Sequence, residues 1–166
     1  MAVRKSTMIT ELDAHTIQGT EKFGGALHRI AANGAKAAGE STNDIYPVLR
    51  LFTGWVINSL TLQTAAWGTS GVVEIGCYDT AENGGAVIDA DVFASAVDVS
   101  AALAKIDLVM EATTQAPDKV NTKLRDLLGM SASAADKWVD VCLTATNIGA
   151  SQAAKFALTA TYTGHA

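Results

Sequence analysis

Alternation of apolar and polar side chains is clearest over residues 54–79, GWVINSLTLQTAAWGTSGVVEIGCYD. Val56, Asn58, Leu60 and Leu62 fall on one face of an extended chain, and Ile57, Ser59, Thr61 and Gln63 on the other. This is the period of two of a strand with one buried face, interrupted at Asn58. After the small turn Gly68-Thr69-Ser70-Gly71 the alternation resumes, with Val73, Ile75 and Cys77 opposing Val72, Glu74 and Tyr78. The pattern predicts two strands joined as an antiparallel hairpin.

Residues 25–32 read as a first strand closed by Asn33-Gly34, followed by a small, polar loop over 35–43. Ile45–Phe52 (IYPVLRLF) reads as a strand. Pro47 directs it to a sheet edge or a strand entry, because proline donates no ladder hydrogen bond. Residues 80–91 form a loop centred on Asn83-Gly84-Gly85, and residues 92–103 (VFASAVDVSAAL) fit a short helix or irregular chain. Over 105–112, Ile106, Leu108 and Met110 alternate with Asp107, Val109 and Glu111, which favours a strand.

The helix pattern lies over 118–128. Pro117-Asp118 opens it, Val120, Leu124, Leu127 and Leu128 form one stripe, and Gly129 is placed to cap its end. Trp138–Asn147 and residues 155–163 then alternate as a closing hairpin. Val139, Val141 and Leu143 point inward on one strand, and Phe156, Leu158, Ala160 and Tyr162 on the other. Residues 1–24 scatter Met8, Ile9, Leu12, Ile17 and Phe23 without either period, as an extended arm would. The expected architecture is an all-β antiparallel sandwich over 25–166, jelly-roll-like, with one short helix and that N-terminal arm.

A chain of 166 residues holds one domain with a real core and is too short for two. Apolar residues make up 49% of it but aromatics only 6%, and alanine supplies much of the rest. At about 25 cal/mol per Å² of buried apolar area, small side chains gain little each, so such a domain benefits from partners. The net charge of −5 argues against nucleic acid as one of them, and Arg4-Lys5 is too small a basic cluster to reverse this. No apolar run approaches the ~20 residues needed to span a bilayer. Residues 7–19, interrupted by Glu11, Asp13 and His15, do not form a signal core. The chain is expected to be soluble, made without export and free of membrane contact. Cys77 is in phase with Val73 and Ile75, whereas Cys142 is out of phase with Val141 and Leu143. The two are expected to face different ways, as reduced thiols rather than a disulfide.

Reactive chemistry has little foothold. His15, His28 and His165 show no metal-ligand spacing and read as surface or interface imidazoles. No serine has the G-x-S-x-G context of a nucleophile. Asp79, Asn83 and Gly84 match the first, fifth and sixth positions of a calcium loop, but Ala81 and Ala90 stand at the third and twelfth. A looser site from Asp79, Glu82, Asp89 and Asp91 competes with the plainer reading of a solvated acidic turn. Gly24-Gly25 and Gly84-Gly85 lack the strand and helix that flank a phosphate loop. No catalytic residue, metal ligand or cofactor is expected. Trp55, Trp67 and Trp138 are either a sugar-binding platform or anchors of core and interface. Trp67, in a turn, is the one expected to be exposed.

Three segments together resemble small virion proteins of tailed bacteriophages, of the capsid decoration or cement type. Residues 54–79 resemble a strand, small turn and strand ending in Gly-x-Tyr-Asp, here Gly76-Cys77-Tyr78-Asp79. Residues 89–101 (DADVFASAVDVSA) resemble the segment that follows it. Residues 123–130 (KLRDLLGM), leading into 139–146 and 156–162, resemble a short helix, Leu-Gly and two closing strands. The arm has no counterpart. The resemblance implies a non-enzymatic β-sandwich that assembles on a capsid or at a tail junction, with the capsid surface favoured, made in the host cytoplasm. Its partners would be the major capsid protein and further copies of itself, with a trimer favoured. Ile9, Leu12, Ile17 and Phe23 of the arm, with Trp67, are the candidate interface residues. The alternative is a glycan-binding or host-attachment β-sandwich of a virion or tail, which needs an exposed ring at Trp67, with Trp55 as a second candidate.

Overall fold

Eight strands carry most of the regular structure in the computed structural model, which describes residues 27–108, 122–131, 133–148 and 152–164. In chain order they are β1 (His28–Lys36), β2 (Ile45–Phe52), β3 (Val56–Thr64), β4 (Val72–Asp79), β5 (Val87–Asp98), β6 (Leu103–Asp107), β7 (Trp138–Asn147) and β8 (Ala154–Thr163). A 3-10 turn at Ala81–Asn83 links β4 to β5, and a one-turn helix, α1 (Leu124–Leu127), precedes β7.

The strands form two four-stranded antiparallel sheets, ordered β1-β8-β3-β6 and β2-β7-β4-β5. Every consecutive pair except β4 and β5 changes sheet, which is the double-sheet jelly roll. The core fills the space between the sheets. Leu60, Leu62, Phe156, Leu158 and Ala160 enter from one sheet, and Leu49, Leu51, Val73, Ile75, Val139, Val141 and Leu143 from the other. The expected fold class is observed.

Both expected hairpins are corrected. Their strands exist, but β3 pairs with β8 and β6, while β4 pairs with β7 and β5. Residues 65–71 therefore cross between sheets. β7 and β8 are likewise separated, β7 between β2 and β4, and β8 between β1 and β3. Alternation tells which side chains are buried, but both sheets of a sandwich bury theirs in the same space. It does not tell which sheet a strand joins.

Smaller departures have local causes. β3 shifts register against β8 between Ile57 and Ser59, a bulge that leaves Asn58 exposed and turns both Ile57 and Leu60 into the core. β1 runs through Asn33-Gly34 to Lys36 instead of stopping there. Gly34 is needed for packing: a Cβ there would lie 2.5 Å from the Phe156 ring. Residues 92–98, expected as helix or irregular chain, continue β5, and the expected loop over 80–91 gives way to β5 at Val87. Three register shifts against β4 and a positive φ of 63° at Ala96 break the alternation of β5. α1 is shorter than the expected helix, with Leu124 buried and Gly129 in the left-handed region at its end. The arm over 1–24, the expected strand beyond Leu108 and the helix start at 118–121 lie outside the described residues.

Candidate interface at one end of the sandwich

Antiparallel pairing gathers distant parts of the chain at one end of the molecule. His28 opposes Tyr162, Phe52 opposes Trp138, and Val56 opposes Thr163. The turn between β2 and β3 brings Trp55 between them. Its N–H donates to the Phe52 carbonyl (3.0 Å), and α1 clamps it from outside. The Leu124 and Arg125 N–H groups donate to the carbonyls of Trp55 and Thr53, each at 2.8 Å. The Arg125 guanidinium in turn bonds the Asp136 carboxylate at 3.0 Å and the Ser131 and Ala134 carbonyls.

Five rings meet there. His28 stacks on Tyr162 with centroids 5.3 Å apart, Tyr162 lies on Trp55 at 3.9 Å, and Trp138 meets Trp55 edge-on at 5.4 Å. Phe52 touches both Trp138 and Trp55. The ladder runs from buried to open: Trp55 is 6% exposed and Trp138 is 42% exposed. Leu27, just before His28, is exposed, as is Val87 at the start of β5. Val87 pairs with Tyr78, and the adjacent Asp79 pairs with Val139 beside Trp138. The large exposed apolar side chains among the described residues thus share one end of the sandwich. The indole N–H of Trp55 is buried there with no acceptor among the described residues.

The opposite end is polar, and it corrects the expectation for Trp67. Residues 65–71 carry this indole into the gap between the sheets, where it is fully enclosed. Its Nε1–H donates to Thr64 Oγ1 at 2.7 Å, its backbone N–H donates to the Val99 carbonyl, and its ring meets Tyr46 edge-on. Lys36 Nζ sits 5.9 Å from the ring centroid and donates to the Gln152 carbonyl at 3.0 Å. Burial lowers this amine's pKa against the opposing pull of Glu40 and Asp44. Outside Trp67, a shallow cleft of about 720 Å³ is lined by Gly68, Thr69, Ser70, Asp98, Ser100 and neighbours. Trp67 presents no ring face to solvent and Trp55 is buried, so neither offers the exposed ring that the glycan reading expected of it. Ile9, Leu12, Ile17 and Phe23 lie outside the described residues.

Sequence reasoning singled out Trp138 only as one of three tryptophans and did not assemble the ladder. A signal existed. Trp138 shares its strand parity with Asp140, and Phe52 with Arg50, so both rings belong to the outward set. On that outward face Arg50 Nε and Nη2 donate to the Asp140 carboxylate at 2.6 and 3.0 Å, with both side chains buried. Beside them Tyr78 and Thr144 share a 2.7 Å hydroxyl contact, and Ile45, Tyr78 and Cys142 pack together. Cys77 faces the core and Cys142 the outside, as expected, and both are free thiols whose burial pushes their pKa upward. Among the described residues no group of three or more His, Cys, Asp or Glu side chains is placed to hold a metal. Asp79 instead takes the Lys137 ammonium, and the Asp89 carboxylate accepts the Asp91 N–H.

Neither a family model nor a curated protein matches the chain. Solved structures do. A chain of the capsid of Ralstonia phage GP4 superposes with a TM-score of 0.70 at 14% identity, covering 99% of this chain and 100% of that one. A chain of the cyanophage Pam1 capsid asymmetric unit superposes with a TM-score of 0.48 at 14% identity, covering 88% and 90%. At this identity the first likeness establishes a shared fold.

Proposed function

We propose that this chain is a non-enzymatic structural protein of a tailed-phage virion that binds and stabilises the capsid lattice as a decoration or cement protein. The likeness in fold to the phage GP4 capsid chain, end to end on both sides, carries this reading. A jelly roll by itself also serves lectins and cupins, so the architecture alone does not choose among them. The aromatic end adds a second support. Trp and Tyr side chains held rigidly in a partly buried patch are the residues that dominate binding energy at protein interfaces.

In this reading the aromatic end seats on the major capsid protein, with Trp138 as its anchor and Leu27 and Val87 at its rim. Copies gather as trimers at symmetry axes on the capsid surface after synthesis in the host cytoplasm. Apolar area buried across capsomer boundaries then resists the outward pressure of packaged genome.

Residues 1–24 act as an arm that reaches onto a neighbouring subunit through Ile9, Leu12, Ile17 and Phe23. Each such side chain contributes about 1.5–3 kcal/mol on burial, against about 1–2 kcal/mol per ordered backbone residue. Four anchors do not offset that cost over the whole arm, so hydrogen bonds to a neighbour's strand edge must contribute. Deleting residues 2–22 should leave a folded protein that decorates capsids poorly. A truncated chain that decorates as tightly as the full one would make the arm passive. Negative-stain images of virions labelled with antibody to the chain test the location itself: label over the head surface is expected, and label confined to the tail, or none, contradicts it.

A further inference from the structure

Among the described residues four strands border the two sheets, β1 and β6 in one and β2 and β5 in the other. Three of these edges are blunted. β2 carries Pro47 and a register shift beside it, β5 shifts register three times, and β6 has only five residues with a shift in its pairing. Such irregularities keep an edge from templating another strand. β1 has none of them. Its nine residues pair with β8 in unbroken register from His28↔Tyr162 to Lys36↔Ala154, without proline or positive φ.

The surface of β1 is equally open. Its outward side chains Arg29, Ala31, Asn33 and Ala35 are exposed, and Arg29 alone among them is charged. On the inner face Ile30 and Ala32 pack against the core yet stay only partly buried. Alternate residues of an edge strand turn their N–H and C=O groups away from the sheet. Among the described residues, nothing bonds residues 28–35 across that edge.

We propose that the edge of β1 docks a second copy of this chain. The two β1 strands would pair antiparallel about a two-fold axis at Ala32, joining two four-stranded sheets into one. The sequence of the edge selects this occupant. Pairing about Ala32 sets Arg29 opposite the partner's Ala35 and Ala31 opposite the partner's Asn33, so no like charges oppose and small side chains leave the approach clear. Lys36 falls opposite the partner's His28, but its ammonium is turned inward to the Gln152 and Ala37 carbonyls. A two-fold contact requires one patch to complement itself, and this strand does. The added strand covers the half-open Ile30 and Ala32. None of this depends on the capsid reading.

Amide hydrogen exchange on the full chain, from about 10 μM to about 1 mM, tests it over the range of weak homodimers. Amides of residues 28–36 are expected to slow as concentration rises, in step with dimer seen by sedimentation velocity. Ala35→Lys places a second positive charge against the partner's Arg29 and should weaken the dimer about two- to fivefold, while Ala35→Glu strengthens it by a similar factor. Position 35 is exposed, so both variants should melt like the parent. Exchange in β1 that does not change with concentration overturns the proposal, whether fast throughout or protected throughout. So does an equal response to Ala35→Lys and Ala35→Glu.

Discussion

Tyr162 lies flat on Trp55, their centroids 3.9 Å apart and their planes within 10° of parallel. One ring comes from the last strand of one sheet and the other from the turn that leaves the opposite sheet. The stack therefore ties the two sheets together at the end where Trp138 is open. Trp55→Ala should cost about 3–5 kcal/mol of stability, as for other buried tryptophans, read from urea unfolding. Trp138→Ala should cost about 1 kcal/mol of stability and, under the proposed capsid-binding role, more than tenfold in capsid affinity, as expected of an interface anchor. Full binding by the Trp138 variant would remove the aromatic end from the interface.

Two glycines should rank by what surrounds them. At Gly34 an added Cβ meets the rim of the Phe156 ring, which is itself packed on Tyr46 and Trp67. Overpacking of this kind costs about 1–3 kcal/mol, so Gly34→Ala should lower the melting temperature without abolishing the fold. At Gly76 the added atom would overlap the backbone of Asp89 and Ala90, which has no rotamer to change. Gly76→Ala should be the more damaging of the two, and the reverse order in thermal melts would contradict this packing.

The Arg50–Asp140 pair should matter more when broken than when replaced. Asp140→Ala removes a carboxylate that takes two guanidinium hydrogen bonds inside the protein, a loss of about 3–5 kcal/mol. Replacing both, Arg50→Met with Asp140→Leu, should recover most of that loss, because a buried ion pair roughly balances its own desolvation. Chemical denaturation of the three variants checks this, and a double variant no better than the single would refute it.

Glu74 supplies a pH dependence of known sign. Burial, and then the negative charge of Asp91, hold its carboxyl above the usual range. With the folded pKa above the unfolded one, its contribution is fully present below the ordinary value of about 4.3 and is lost as pH rises through the folded value. Glu74→Gln should therefore stabilise the protein at pH 7, by a few tenths of a kcal/mol after solvent screening, and give no gain near pH 4. A Glu74→Gln variant that melts lower than the parent at pH 7 would reverse the assignment.

The strands were legible where alternation was unbroken. β2 and β7 have the bounds that their patterns predict, and the inward residues of β7 and β8 are the ones named from parity. β5 was not legible, because its bulges and the left-handed Ala96 scramble the period that identifies a strand. Partnering was not legible either, since Val73 and Leu60 look alike in sequence although they line opposite walls of the core. Trp67 misled because its neighbours are small and polar. They describe the rim of the crossover, while the indole fills the gap beneath it. The aromatic ladder joins His28, Phe52, Trp55, Trp138 and Tyr162, which share no spacing and meet only once strand register is known.

Cosedimentation of the purified chain with assembled, expanded phage heads tests most directly whether it binds a capsid as proposed. Saturable pelleting with the heads is expected, with a fixed number of copies per capsid and loss of pelleting for Trp138→Ala at concentrations where the parent saturates. A chain that stays in the supernatant with intact heads, at concentrations well above those of the capsid sites, would contradict it.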